Sequence, residues 1–182
     1  PDWMIRTIAS ELQQAAVKAT WFVTHWSPAI AELAAQPELF ELGLHPNCLP
    51  NSTHGDTPSA VLHTIRQLLP NAVSMRTHAL YQSTPFLITA ARDFGVRYDV
   101  SLFLPKAPHL RPHHIPWYGV DLWRIPYFWE DDAEMFEAAP AWQLSDPRLQ
   151  VPGLKVFDFH PTYLILNNTR FETYTQLKSL QA

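Results

Sequence analysis

Helical and strand-like patterns alternate along the first hundred residues. Residues 2–17 carry apolar side chains at the three- and four-residue spacing of an amphipathic helix, and the apolar, β-branched run ATWFVTH follows it, as expected for a strand buried on both faces. The same order repeats three times, with the helices SPAIAELAAQ, TPSAVLHTIRQLLP and TPFLITAARDF and the strands LFELGLH, AVSMRTH and VRYDVSLFLP. Four such units predict a parallel sheet with helices outside, either open or closed into a barrel.

The second half of the chain is less regular. LWRIPYFWEDD is an aromatic, strand-like run that ends in acidic residues, and GLKVFDFHP is another that ends in His160. Between the regular part and these runs, residues 106–119 contain three prolines without periodicity, which predicts a long loop. Helical spacing over Arg170 to Leu180 predicts a closing helix.

Polar side chains follow the predicted strands. In sheets of this kind, ligands bind at the carboxyl ends of the strands, so side chains at those ends are expected to converge on one rim. The residues at these positions are His25, His45, Arg76, His78, Asp99, Ser101, Glu130, Asp131, Asp132 and His160.

The stretch ELGLHPNCLPNSTHG contains two of the histidines. Pro46 and Pro50 lack an N–H and fix φ, so the chain after His45 is predicted to leave the strand as a loop, where α/β proteins commonly place functional residues. A polar surface turn with incidental histidines at 45 and 54 is the competing interpretation.

Composition narrows the function classes. The chain has 182 residues, of which 47% are hydrophobic, so we expect a single domain over residues 1–182. The net charge of −4 comes without a basic run, which argues against nucleic acid as a partner. One cysteine excludes an internal disulfide, and no apolar run approaches the roughly 20 residues that span a bilayer. We therefore expect a soluble protein without a membrane span.

The order of motifs resembles that of the polysaccharide deacetylases, the family 4 carbohydrate esterases. ELGLHPN with STHG occupies the place of the second family motif, MRTHALYQS that of the third, RIPYFWEDD that of the fourth and VFDFHP that of the fifth. The particular residues of these motifs are most similar to those of a divergent branch associated with bacterial surface-polysaccharide synthesis of the O-antigen type. The segments that carry this similarity are HPN, STHG, RTHAL, YDVSLFLP, PYFWEDD and FDFHP.

This resemblance implies a fold and an activity. The fold would be a distorted (β/α) barrel of about seven strands, and the activity metal-dependent hydrolysis of the C–N bond of acetamido sugars, or of O-acetyl esters, in a polysaccharide or its precursor. A bacterial, cytoplasmic carbohydrate deacetylase that uses a divalent metal, with zinc as the expected ion, is the leading hypothesis.

The resemblance also implies roles for particular residues. His45 and His54 are the first choices as metal ligands, with His78 as the substitute. His160 matches the general acid, and Arg76 matches the arginine that orients a catalytic carboxylate. Asp131 or Asp132 would hold the His160 ring protonated and oriented. Each has a structural alternative: a core histidine at 160, an ion pair at 76, and a cap for a helix beginning at Ala133 from one of the two aspartates.

Two departures from the family pattern keep other functions open. Leu49 stands where the second histidine of the second motif would be, so His54 would have to replace it. The first motif, a strand ending in an Asp pair, is expected upstream of Pro1, and Asp2 is a poor substitute for its base. A non-catalytic barrel that binds a glycan or a protein is therefore the alternative, and a metal-dependent amidohydrolase of small substrates is a third possibility.

Overall fold

The first four helices and strands alternate as the sequence predicts. A computed structural model describes residues 1–170, 172 and 173. The helices are α1 (Asp2–Gln14), α2 (Pro28–Ala34), α3 (Pro58–Leu68), α4 (Thr84–Phe94), α5 (Asp131–Glu134) and α6 (Pro161–Ile165). The strands are β1 (Ala19–Val23), β2 (Phe40–Leu44), β3 (Ser74–Met75), β4 (Tyr98–Asp99), β5 (His113–Ile115), β6 (Leu122–Arg124), β7 (Trp129–Glu130) and β8 (Phe157–Asp158).

The strands form a mostly parallel arrangement. Six of them make one sheet in the order β1-β2-β3-β4-β6-β5, in which only the β5–β6 pair is antiparallel, and β7 pairs with β8 in parallel. The α/β class and the parallel sheet are thereby confirmed. Barrel closure is not detected among the described residues, so the closed barrel stays a prediction.

The described residues divide into two compact units. The first unit comprises residues 1–102 and 112–125, and the second comprises residues 103–111 and those from 126 onward. The first has a core of aliphatic and aromatic side chains from the helices and the six-stranded sheet, including Leu33, Phe40, Leu44, Leu62, Ile65 and Met75. The second has a smaller core of Leu110, Phe128, Trp129, Ala141 and Leu149. The expectation of a single domain over 1–182 stays a prediction.

Three helices begin with the capping pattern that the sequence indicates. The hydroxyls of Ser27, Thr57 and Ser83 accept hydrogen bonds from backbone amides in the first turns of α2, α3 and α4, and a proline stands near each helix start. At the other end of α4, Gly95 has φ +66°, a left-handed conformation that glycine adopts without steric cost. Local sequence therefore sets the starts of these three helices and the end of α4.

Proline ends two of the predicted strands early. β2 stops at Leu44, two residues before Pro46. The run LWRIPYFWEDD is not one strand, because the chain leaves β6 before Pro126 and begins β7, in the other sheet, at Trp129.

Two other expectations meet the structure differently. The predicted loop over 106–119 is wrong in part, because His113–Ile115 forms β5 and pairs with β6. The predicted closing helix over 170–180 lies almost wholly outside the described residues. No helix that the structure describes is long and apolar enough to cross a bilayer.

Strands β1, β2 and β3 of the first unit approach each other closely. A Cβ built on Gly43 of β2 would lie 2.6 Å from ring carbons of Phe22 and 2.7 Å from Oγ of Ser74, on the two neighbouring strands. Leu44 is in register with Met75, so His45 and Arg76 are the next residues along two adjacent parallel strands. The sheet thus delivers two of the predicted site residues to neighbouring positions.

Candidate active site

The first cluster of functional side chains is a pair of histidines in the first unit. His45 follows β2 directly and His78 follows β3 by three residues. Nε2 of His45 lies 3.4 Å from Nδ1 of His78, and the two ring planes are at 80° to each other. His45 is half-buried and His78 is exposed, so the pair lies at the surface of its unit.

Backbone hydrogen bonds hold these two histidines together. The amide of His45 donates to the carbonyl of Val23 at 3.2 Å, which continues the β1–β2 pairing beyond the strand. The amides of Arg76 and His78 donate to the carbonyls of Leu44 and Pro46, at 3.0 and 2.9 Å. Pro46 can accept through its carbonyl although it has no N–H to donate. The parallel ladder is therefore extended across both histidine-bearing segments.

The separation of the two ring nitrogens suits a shared metal ion. Two imidazole ligands of a tetrahedral zinc ion, each about 2.0–2.1 Å from the metal, have nitrogens about 3.3–3.4 Å apart. The 3.4 Å between His45 and His78 matches this spacing. Catalytic zinc sites use three protein ligands with an open position, and these two imidazoles with an exposed side would provide two of the three.

His54 is placed differently from its predicted role. It is buried, its Nδ1 accepts a hydrogen bond from the amide of Asn47 at 3.1 Å, and its Nε2 lies 2.9 Å from the carbonyl oxygen of Thr24. The two bonds require the proton on Nε2, so both ring nitrogens are engaged by the backbone. Metal binding would need at least one of these bonds to break. The ligand role of His54 stays a prediction, and the geometry favours His78 over it.

Arg76 is a buried cation at the end of β3. Its residue is only 5% exposed, and its backbone is held by Leu44 as described above. A guanidinium in such a position requires compensating charge or hydrogen bonds, since an unpaired buried charge costs several kcal/mol. Its predicted role, orienting a catalytic carboxylate, is compatible with this location and stays a prediction.

The second cluster lies in the second unit and centres on His160. Nδ1 of His160 donates to Oδ1 of Asp131 at 2.7 Å, and the backbone amide of His160 donates to Oδ2 of the same carboxylate at 2.7 Å. Of the two aspartates that the sequence offers for this role, Asp131 is the one that contacts the ring. The helix α5 begins at Asp131 rather than at Ala133, and its N-cap residue, Glu130, makes no side-chain capping bond.

The surroundings of His160 favour its charged form. Burial opposes the charge on the ring, but the hydrogen bond to Asp131 and the negative charges of Asp131, Asp158 and Asp132 outweigh it and raise the pKa of His160 to about 9. With Nδ1 held by Asp131, the proton on Nε2 is the one that the ring can give away. The raised pKa therefore favours the cationic form of His160 at neutral pH, and Asp131 holds its ring in one orientation.

Two further carboxylates lie close to this ring. Glu130, Asp132 and His160 each offer a ligand atom, and these atoms all lie within 4.8 Å of one another, a spacing that also allows them to hold a cation. Glu130 is buried and accepts a hydrogen bond from the hydroxyl of Tyr127 at 3.0 Å. The sequence places Glu130 and His160 at the ends of different strands and predicts a shared rim for them, but it does not predict that their ligand atoms lie this close together.

Comparisons with known proteins identify the family of this chain. A family model described as WbmS-like polysaccharide deacetylase matches residues 1–178. The chain belongs to this family. A crystal structure at 1.90 Å resolution, of a Bordetella bronchiseptica protein assigned as a polysaccharide deacetylase involved in O-antigen biosynthesis, is 32% identical to the chain. The alignment has a TM-score of 0.85 and covers 98% of this chain and 74% of the other. No curated protein gives a significant match.

Membership of the WbmS-like family confirms the resemblance seen in the motifs. It supports deacetylase chemistry on a sugar and an α/β fold of the same type.

Asp2, considered above as a substitute base, has a structural contact instead: its Oδ2 accepts a hydrogen bond from the amide of Ala29 at 3.1 Å, in the first turn of α2. A hydrogen bond with the Ser27 side chain, followed by that from Ala29, lowers the pKa of Asp2. Asp2 therefore stabilises a helix start in this WbmS-like chain.

The two bonded nitrogens of His54 generate a test of its structural role. Replacing His54 by Ala removes one acceptor and one donor from partly buried backbone groups, so we expect the free energy of unfolding to fall by about 2–3 kcal/mol. Chemical denaturation measures it. The control is His63→Ala, because His63 lies exposed on α3 and its ring makes an exposed hydrogen bond with Gln67 rather than with buried backbone groups. Equal stability of the two variants would contradict the structural role.

Proposed function

We propose that this protein is a metal-dependent hydrolase that removes acetyl groups from N-acetylated sugars of a surface polysaccharide or its precursor. The observation that carries the proposal is the pair formed by His45 and His78, two imidazole nitrogens 3.4 Å apart at the carboxyl ends of adjacent parallel strands. Family membership supplies the reaction class, and the pair supplies a donor set that fits its metal.

The proposed site replaces one ligand of the sequence-based hypothesis. His45 keeps its role, and His78 takes the place of His54, whose ring nitrogens hold the backbone of Thr24 and Asn47. Zinc is the proposed ion because imidazole is among its preferred ligands. A divalent metal bound there would polarise the acetyl carbonyl and make water a stronger nucleophile.

His160 is proposed to provide the proton for the leaving group. Cleavage of the C–N bond of an acetamide expels an amine, which leaves far more readily when its nitrogen is protonated as the bond breaks. The ring of His160 is charged at neutral pH and can donate from Nε2, while Asp131 keeps Nδ1 and the backbone amide of His160 in place. Asp131 is thus a positioning residue, and His160 the general acid.

Arg76 and Asp132 keep supporting roles in the proposal. Arg76, a buried cation beside the His45–His78 segment, is proposed to pair with the carboxylate that acts as base, since guanidinium binds carboxylates in a fixed two-point geometry. Asp132 adds negative charge that favours the cationic form of His160. An ester substrate would depend less on this charge than an amide does, because an alkoxide needs less protonation than an amine to leave.

Metal analysis tests the choice of ligands. We expect wild-type protein to hold about one zinc ion per chain after dialysis against trace zinc, and His45→Ala and His78→Ala each to lose most of it. His54→Ala should keep it. Elemental analysis of all three variants measures the result. Full zinc content in both His45→Ala and His78→Ala would rule out the proposed pair, and loss in His54→Ala alone would restore the original assignment.

Removal of the general acid tests the catalytic role of His160. We expect His160→Ala to lower kcat on an N-acetylated glycan by roughly 10²–10⁴, with zinc content unchanged and a smaller loss on the matching O-acetyl substrate. Acetate release measures both reactions, with His63→Ala as control. Loss of zinc together with activity would instead assign His160 to a cation site with Glu130 and Asp132. Absence of turnover by zinc-loaded wild type would favour a binding protein.

The pH profile tests the partnership of Asp131 and His160. A general acid must be protonated, so a pKa raised to about 9 keeps kcat/KM high through neutral pH and lets it fall as the pH rises through about 9. Asp131→Asn removes the hydrogen-bonded charge, so this alkaline limb should move down towards the ordinary histidine value of about 6.5. An unmoved limb would show that another group sets the profile.

A further inference from the structure

A closed ring of hydrogen bonds, made by the side chains of Asp99, Arg124 and Gln82 and the backbone of Ser101, lies beside the segment that carries Arg76 and His78. Oδ2 of Asp99 accepts from Nε of Arg124 at 2.8 Å, and Oδ1 accepts from the amide of Ser101 at 3.2 Å. Nε2 of Gln82 donates to the carbonyl of Ser101 at 3.1 Å, and Nη2 of Arg124 donates to Oε1 of Gln82. The four residues therefore form a ring with each member bonded to the next.

The ring contains the ion pair between Asp99 and Arg124, whose burial costs desolvation free energy. Asp99 and Ser101 are fully buried, and the Arg124 side chain is 17% exposed. Desolvating an ion pair to this extent costs free energy that a packed apolar pair would avoid, so the ion pair is weak evidence for stability as such. Its members also come from three separate places: β4 and the residues after it, β6, and the segment before α4. The ring therefore links these three parts of the first unit to one another.

One bond connects this ring to the predicted site. The hydroxyl oxygen of Ser101 accepts a hydrogen bond from the backbone amide of Thr77 at 3.0 Å. Thr77 is fully buried and lies between Arg76 and His78 in the sequence. The neighbouring amides, of Arg76 and His78, bond to the β2 side through Leu44 and Pro46. The amides of Arg76 and His78 therefore bond to the β2 segment, whereas the amide of Thr77 between them bonds to Ser101 on the opposite side. Of these three amides, the Thr77 amide is the one whose acceptor belongs to a residue of the ring.

We infer that Asp99, Ser101, Gln82 and Arg124 are positioning residues, and that their ring fixes the Thr77 backbone so that His78 meets His45 at metal-ligand distance. The inference rests on the proposed function for its catalytic meaning, because it assigns His78 as a ligand. The positional claim itself concerns the backbone of Thr77 and the ring of His78, which can be observed without metal and without substrate.

Ser101→Ala is the most direct test, because it removes the acceptor of the Thr77 amide and little else. Three measurements apply: hydrogen exchange of the Thr77 amide, the ¹⁵N signals of the His78 ring in metal-free protein, and zinc affinity by competition with a coloured chelator. We expect exchange at Thr77 about tenfold faster or more, shifted His78 ring signals, and zinc affinity lower by roughly 10–100-fold. Asp99→Asn, which keeps the shape but removes the charge, should act in the same direction.

Ser74→Ala is the matched control. Ser74 is a buried serine on β3, three residues before Thr77, and its hydroxyl has no hydrogen-bond partner among the described residues. The same loss of a buried hydroxyl should leave Thr77 exchange, the His78 signals and zinc affinity within about twofold of wild type. A purely structural role of Ser101 would lower the melting temperature of its variant while leaving zinc affinity of the folded protein unchanged.

The outcomes separate the inference from the proposed function. If wild type binds no zinc and releases no acetate, the proposed function fails, while Thr77 exchange and the His78 signals still test the ring. If Ser101→Ala matches Ser74→Ala in both of these, the ring does not position the segment and the inference is overturned. It is equally overturned if wild type binds zinc and Ser101→Ala binds it with the same affinity.

Discussion

The parallel pairing of β2 with β3 is the constraint on which the proposed metal site depends. The two strands share only one residue pair in register, Leu44 with Met75, yet the pairing continues outside the strands through the amides of Arg76 and His78. These bonds place the His45 and His78 backbones side by side. A slip of β3 by one residue would turn its side chains to the other face and separate the two rings. The absence of a side chain at Gly43 lets the neighbouring strands pack closely in this register, which opposes such a slip.

The four histidines of the predicted motifs are held by the fold in three different ways. Both ring nitrogens of His54 make hydrogen bonds to the backbone of Asn47 and Thr24, and these bonds hold the loop that leaves β2. His45 and His78 are brought together at ligand distance at the surface of their unit. His160, the proposed proton donor, is held in the second unit by the carboxylate of Asp131, which accepts hydrogen bonds from both its Nδ1 and its backbone amide. The ring is the same in each case, and its hydrogen-bond partners decide what chemistry it can do.

Periodicity and capping residues predicted most of the regular part of the fold, because they act locally. Ser27, Thr57 and Ser83 begin helices where the sequence indicates, and polar residues stand at strand ends as the alternation requires. The structure of the second half was harder to predict, since an aromatic run such as LWRIPYFWEDD fits one strand as well as two. Whether a proline interrupts such a run or merely borders it depends on tertiary pairing.

Site residues could be predicted by position but not by partner. Sequence placed His45, His78, Asp131 and His160 at strand ends, and family resemblance gave the reaction class. It could not tell that the ring of His54 faces two backbone groups, or that Asp131 rather than Asp132 reaches His160, because both distinctions depend on side-chain direction. The Asp99–Arg124 pair was equally hidden, since its members are 25 residues apart and only Asp99 carries a strand-end signal.

The central claim, that His45 and His78 together hold the catalytic metal, is tested most directly by anomalous diffraction from crystals of the zinc-loaded protein. We expect one strong anomalous peak within about 2.0–2.1 Å of both Nε2 of His45 and Nδ1 of His78. The backbone bonds of His54 should remain intact in the same map. A peak on the His54 ring, or one coordinated by Glu130, Asp132 and His160 with none between His45 and His78, would contradict the account.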